Sequence, residues 1–148
     1  MAEQTSGEID IEATPEEVLE VILDFDAYPT WANGVKKCEV KKRDSKGRPS
    51  EVYMEVGSMG FGSKQTLKYS YGAKDAGLSW ASTKAEGAVK SIAGEYGLEQ
   101  TDDGTTHVSY STTMELAMPV PGMIRRQAER MIIDTALKGL KKEVEKRR

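Results

Sequence analysis

Thr106-His107-Val108-Ser109-Tyr110-Ser111-Thr112-Thr113-Met114-Glu115-Leu116 is followed two residues later by Pro119-Val120-Pro121-Gly122. Val108, Tyr110, Thr112, Met114 and Leu116 alternate with His107, Ser109, Ser111, Thr113 and Glu115, the period of a half-buried strand. The two prolines lack the N–H that a ladder needs, so the strand cannot continue through them. The 26 residues that remain read as helix, with Met123, Ile124, Ala128, Met131, Ile132, Ile133, Leu137, Leu140 and Val144 as its apolar positions. At about 100° per residue, Ile124, Ala128, Met131 and Ile132 fall on a different arc from Ile133, Ala136, Leu137, Leu140 and Val144. The stripe is broad, as suits a helix contacted over a wide arc in the mouth of a curved sheet.

Upstream, Gly7, Ile9, Ile11 and Ala13 alternate with Ser6, Glu8, Asp10 and Glu12, which predicts a first strand. Thr14-Pro15-Glu16-Glu17 then carries a hydroxyl N-cap, a proline where no N–H is required, and a glutamate placed to close a capping box. The helix it opens holds Val18, Leu19, Val21, Ile22 and Phe25, and a second short helical turn is expected at Tyr28-Pro29-Thr30-Trp31. Five to six alternating runs joined by hairpins follow: 35–43, 50–56, 61–71, 78–84, 88–100 and 106–116. Turns are expected at Asp44-Ser45-Lys46-Gly47, Lys74-Asp75-Ala76-Gly77 and Asp102-Asp103-Gly104. Gly57 to Gly62 reads as a glycine-rich hairpin at a cavity rim. The fold class is therefore α+β, a curved antiparallel sheet of about seven strands with two short helices after the first and a long C-terminal helix over its concave face.

The chain has 148 residues, the size of one domain, so residues 1–148 are read as a single domain. Hydrophobic residues at 38% and charged residues at 30% exclude a disordered tail and a membrane-embedded composition. The start is polar and acidic and no apolar run is long enough to span a bilayer, so neither a signal peptide nor a transmembrane segment is expected. One cysteine, Cys38, and one histidine, His107, exclude an intramolecular disulfide and the multi-cysteine or two-histidine metal motifs. No metal and no cofactor are expected, and a cytoplasmic setting suits the cysteine count. Residues 123–148 carry nine Lys or Arg against four Asp or Glu, although the whole chain has a net charge of −3. Such a basic helix leaves weak contact with a membrane surface or an acidic partner open. Cations near a helix C-terminus also complement its dipole and keep it solvated.

Catalytic chemistry is thinly represented. A triad needs a histidine, and His107 falls on the polar parity of its strand, facing solvent. Cys38 shares its parity with Val40 and reads as a small buried residue. The Gly57-x-x-Gly60-x-Gly62 pattern matches neither the phosphate-loop nor the dinucleotide fingerprint. Aromatic residues do not interleave with a basic stripe, so nucleic acid is not an expected partner. The inward parities instead gather Val52, Met54, Leu67, Tyr69, Trp80, Ile92, Tyr96, Tyr110, Met114, Met123, Ile124 and Met131. Apolar side chains with a few polar tips are what a small-molecule pocket requires, and the same residues could equally fill a solid core.

This order of elements, with Asp24, Tyr28, Pro29 and Trp31 directly after the first helix, resembles the helix-grip superfamily of START-like, SRPBCC and Bet v 1-like proteins. Within it the chain is most similar to the bacterial polyketide cyclase/dehydrase and lipid-transport family, and Met118-Pro119-Val120-Pro121 looks like its actinobacterial members. The resemblance spans roughly Ile9 to Glu145. It implies binding and carriage of a hydrophobic small molecule, a lipid, isoprenoid or polyketide, between sheet and last helix. The alternatives are a polyketide aromatase/cyclase, with Tyr69, Tyr96, Tyr110 and Glu95 as candidate proton-transfer groups, and a protein-interaction module using the basic helix. Catalytic residues stay unassigned. The Tyr-Pro-Trp stretch reads as a plug that fastens the first helices to the sheet.

Overall fold

The computed structural model describes residues 3–32, 34–58, 61–72, 77–102 and 104–147. Its elements are β1 (Glu3–Ile11), α1 (Pro15–Leu23), a 3-10 turn (Phe25–Ala27), α2 (Tyr28–Trp31), β2 (Val35–Arg43), β3 (Pro49–Ser58), β4 (Phe61–Tyr71), β5 (Gly77–Gly87), β6 (Val89–Asp102), β7 (Thr105–Leu116), α3 (Gly122–Asp134), a π-helical turn (Thr135–Gly139) and α4 (Leu140–Arg147). All seven strands form one antiparallel sheet in the order β1-β7-β6-β5-β4-β3-β2. This is the helix-grip architecture expected from the order of the elements.

The capping box forms as the sequence requires: the Glu17 N–H donates to Thr14 Oγ1 at 3.2 Å, and the Thr14 N–H donates to Glu17 Oε1 at 2.9 Å. Helix α1 buries Val18, Val21 and Ile22. Because β1 and β2 lie at opposite edges of the sheet, the chain between them has to cross from one edge to the other. Phe25, 1% exposed, anchors that crossing by packing edge-on to Tyr69 at 5.0 Å. Burying one such ring stabilises by about 1.5–3 kcal/mol.

The strand parities follow the sequence. In β7, Thr106, Val108, Tyr110, Thr112 and Met114 are buried, and Ile9 pairs with Val108 and Gly7 with Tyr110 across the β1 edge. Thr106, wholly buried, donates to the Ala13 carbonyl at 2.7 Å and so fastens the end of β1. In the turn after β2, Asp44 Oδ1 accepts from the Lys46 and Arg48 N–H groups at 2.9 Å each, and Gly47 takes the left-handed conformation, φ 82°. The expected turns at Lys74-Asp75-Ala76 and Asp103, and the centre of the glycine connection at Met59-Gly60, lie outside the described residues.

The broad helical stripe is resolved by the π-helical turn between α3 and α4. There the Leu140 N–H reaches back to the Thr135 carbonyl, five residues earlier. One such turn takes up an extra residue, which retards the helix by about 100° relative to an α-helix. Leu140 and Val144 thereby swing toward the face already carrying Ile124, Ala128 and Ile132. Both end almost fully buried in the same core as Val18 and Ile11. On the flank, Leu137 and Ile133 close on Gly7, where an added Cβ would stand 2.8 Å from Leu137 Cδ1.

Gly94 of β6 has a comparable role in the sheet. A Cβ there would lie 2.7 Å from both the Ser111 carbonyl and Trp80 Cζ2, so the indole rests directly on backbone. Gly94→Ala is expected to destabilise the fold by about 1–3 kcal/mol through overpacking. Thr14→Ala should cost about 1 kcal/mol through loss of the cap. Urea unfolding followed by circular dichroism measures both, with each transition remaining cooperative.

Candidate functional site: a cavity under the C-terminal helix

Between the concave face of the sheet and α3 lies a cavity of about 260 Å³, close to the lower end of the range for small-molecule pockets. Met54 of β3, Leu67 and Tyr69 of β4, Trp80 of β5, Ile92 and Tyr96 of β6, Tyr110 and Met114 of β7, and Ile124 and Met131 of α3 all border it. Two other residues expected there do not. Val52 is completely buried in the core, and Met123, in the first turn of the helix beginning at Gly122, is 67% exposed while its neighbours Ile124 and Arg125 border the cavity. Val52 does face inward, but its place along the strand puts it in packed core beyond the open space.

Aromatic rings form one continuous wall. Trp31 packs on Tyr28 (5.1 Å), Tyr28 on Phe25 (5.0 Å), Phe25 on Tyr69 (5.0 Å), Tyr69 on Trp80 (5.8 Å), and Trp80 on Tyr96 and Tyr110 (5.6 and 5.7 Å). Each separation lies within the range of favourable ring contacts. Tyr96 donates its hydroxyl to the Ala136 carbonyl at 2.9 Å, which ties the sheet to the π-helical turn. Tyr28 donates to the Ile22 carbonyl at the end of α1. Tyr28 and Trp31 both face the cavity, so the Tyr-Pro-Trp stretch is lining as well as plug.

These tyrosines are poor proton-transfer groups at neutral pH. Burial pushes Tyr110 up to about 12, and burial foremost, then neighbouring phenols, raises Tyr28 and Tyr96 well above the usual phenol value. Tyr69 shifts the same way, from burial and then from Cys38 and nearby phenols. Glu95 is exposed and accepts from the Ser111 hydroxyl. Cys38 is buried, and desolvation raises its thiol to about 12, so thiolate chemistry is suppressed.

Ser63, Gln65, Arg125 and Thr135 add polar groups to the wall beyond those expected from the sequence. Ser63 and Gln65 share the parity of Leu67 and Tyr69, which is the signal that points them inward; their polar side chains masked it. Both are buried. Arg125 of α3 donates to the Met114 carbonyl at 3.0 Å and pairs with Glu129 at 3.4 Å. Gly57 also borders the cavity and hydrogen-bonds to Gly34, so part of the glycine-rich connection does lie at its edge.

His107 stands apart, on the outer side of β7 and 35% exposed, with Nδ1 2.7 Å from Asp10 and Nε2 3.4 Å from Glu8. Those two carboxylates, Asp10 first, raise its pKa above the usual histidine value. A raised folded pKa means the pair stabilises fully below about 6.5, and the contribution disappears as pH climbs through the raised value. His107→Gln is therefore expected to lower the melting temperature at pH 5.5 and to leave it nearly unchanged at pH 9. Equal losses at both values would contradict the assignment.

Comparison with known proteins places these features in a class. A START superfamily protein from Mycobacterium smegmatis superposes with a TM-score of 0.87 at 21% identity, covering 98% of this chain and 99% of that one. A protein from Thermus thermophilus gives 0.77 at 21% identity, covering 96% and 97%. The Zhui aromatase/cyclase from a Streptomyces species gives 0.75 at 15% identity, covering 99% and 96%. Identities this low carry the fold and not the activity. The sequence itself goes further: residues 2–145 match the family described as polyketide cyclase / dehydrase and lipid transport, and the chain belongs to that family. A search of curated proteins finds no significant match.

Proposed function

We propose that this protein binds and carries a hydrophobic small molecule, such as a lipid, isoprenoid or polyketide, in the cavity between its sheet and C-terminal helix. The observation that supports this most directly is the wall itself. Around about 260 Å³ of space it is built of aromatic rings, aliphatic chains and thioethers, and among its described residues Arg125 is the one charged side chain. Apolar surface that cannot meet across a gap gains stability when a ligand fills it. Methionines 54, 114 and 131 can re-pack around different shapes.

Carriage is favoured over cyclase chemistry because general acid–base catalysis needs a group that titrates near neutral pH within reach of the ligand. The cavity tyrosines are shifted the wrong way for that, while His107 and Glu95 face outward. The basic last helix is already engaged with carboxylates, through Lys141–Glu145 at 2.6 Å, Arg147–Glu143 at 2.8 Å and Arg147–Asp24 at 3.1 Å. Those pairs support a solvated helix face more than an interaction module.

Binding is tested with the neutral dye N-phenyl-1-naphthylamine and the full chain. Met131→Lys is expected to weaken binding about tenfold or more, since it sets a charge in the apolar wall of the cavity, while Arg130→Glu on the exposed face leaves it within about twofold of the parent. Trp31→Phe and Trp80→Phe each leave one emitter, and both should change emission as the dye enters, because both indoles border the cavity. If Met131→Lys folds and binds like the parent, the ligand site lies elsewhere.

A further inference from the structure

Gln65 of β4 is 4% exposed and borders the cavity. It sits where the sheet opens: β5 and β6 stay paired from Gly77↔Gly97 to Ala81↔Ala93, and among the described residues no pairing joins the hairpin beyond that point. Gln65 reaches across the opening, and its Nε2 donates to the Val89 carbonyl at 3.1 Å and to Ser63 Oγ at 2.6 Å. A carbonyl can only accept, so Val89 fixes which way the amide points. Its other end, Oε1, is buried with no hydrogen-bond partner among the described residues. Buried acceptors are nearly always satisfied, because leaving one unpaired is costly. A side chain held at one end by two hydrogen bonds cannot swing to water without breaking them.

The electrostatics of the wall decide what kind of donor fits. Arg125 is neutralised by Glu129 and further engaged by the Met114 carbonyl. A ligand carboxylate would enter a site whose cation is already matched, and would set one acceptor against another at Gln65. A ligand ammonium would be a desolvated charge without a carboxylate of its own. A neutral hydroxyl meets neither penalty.

Resting on the reading of the cavity as a ligand site, we propose that its ligand is a neutral, largely apolar alcohol or phenol whose hydroxyl donates to Gln65 Oε1. Gln65 then sets specificity, while the aromatic wall contributes most of the affinity. Hydroxylated ligands are selected over ethers and over carboxylates of the same skeleton.

Isothermal titration of the full chain with 2-naphthol, 2-methoxynaphthalene and 2-naphthoate tests this, alongside Gln65→Leu and, should that variant not melt cooperatively, Gln65→Met. The parent is expected to bind 2-naphthol about tenfold tighter than either analogue, the factor that one buried hydrogen bond supplies. The variant should bind naphthol and its methyl ether within about twofold of each other. Equal binding of naphthol and methoxynaphthalene by the parent, tighter binding of naphthoate, or a naphthol preference that survives in the variant would each overturn the proposal. Those three results leave apolar binding itself standing. Failure of the parent to bind any of the three overturns both readings.

Discussion

Everything in this fold depends on one helix that must satisfy two surfaces at once. The order β1-β7-β6-β5-β4-β3-β2 leaves a concave face that the strands cannot close themselves, and the chain after β7 has to close it. Its first half meets an open volume and its second half meets the packed core over α1 and β1. An ideal α-helix with this sequence would turn Leu140 and Val144 away from the arc of Ile124, Ala128 and Ile132. The π-helical turn at Thr135–Gly139 corrects the phase by about one residue. The Ala136 carbonyl within that turn is held by Tyr96, so the phase correction and the cavity wall are fastened to each other.

That coupling gives the cavity its character. Tyr69, Trp80, Tyr96 and Tyr110 are stiff side chains braced ring against ring, and they meet an α3 face of small and flexible residues, Ala128 and Met131 among them. Rigid aromatic surface on one side and adaptable surface on the other suits shape-tolerant apolar recognition. The same burial that packs the rings raises the Tyr96 and Tyr110 phenols above their usual range.

Most of the fold was legible because the signals were local and mutually consistent. Thr14-Pro15-Glu16-Glu17 specified a helix start, the alternation from Thr106 to Leu116 specified a strand and its inner face, and Pro119 to Gly122 specified the break. The two arcs of the last helix were visible as well, but a π turn has no residue signature comparable to a capping box, so the device joining them was not. Parity identified most of the cavity wall and then failed in two ways. It does not record depth along a strand, which is why Val52 belongs to the core. It also invites a polar residue to be read as outward, although Ser63 and Gln65 share the inner face of Leu67 and Tyr69. The aromatic residues Tyr28 and Trp31 read in the sequence as a plug of the first helices onto the sheet, and here that plug adjoins open space.

An apolar molecule is proposed to occupy the space under the last helix in the working protein. Native mass spectrometry of the full chain purified from its own cells, without detergent or organic solvent, addresses it most directly. A population heavier than the 16.3 kDa chain by the mass of one neutral molecule is expected, which solvent extraction releases and which Met131→Lys fails to retain. A parent protein that flies at the bare chain mass, and takes up no neutral apolar compound when mixed with one, would contradict it.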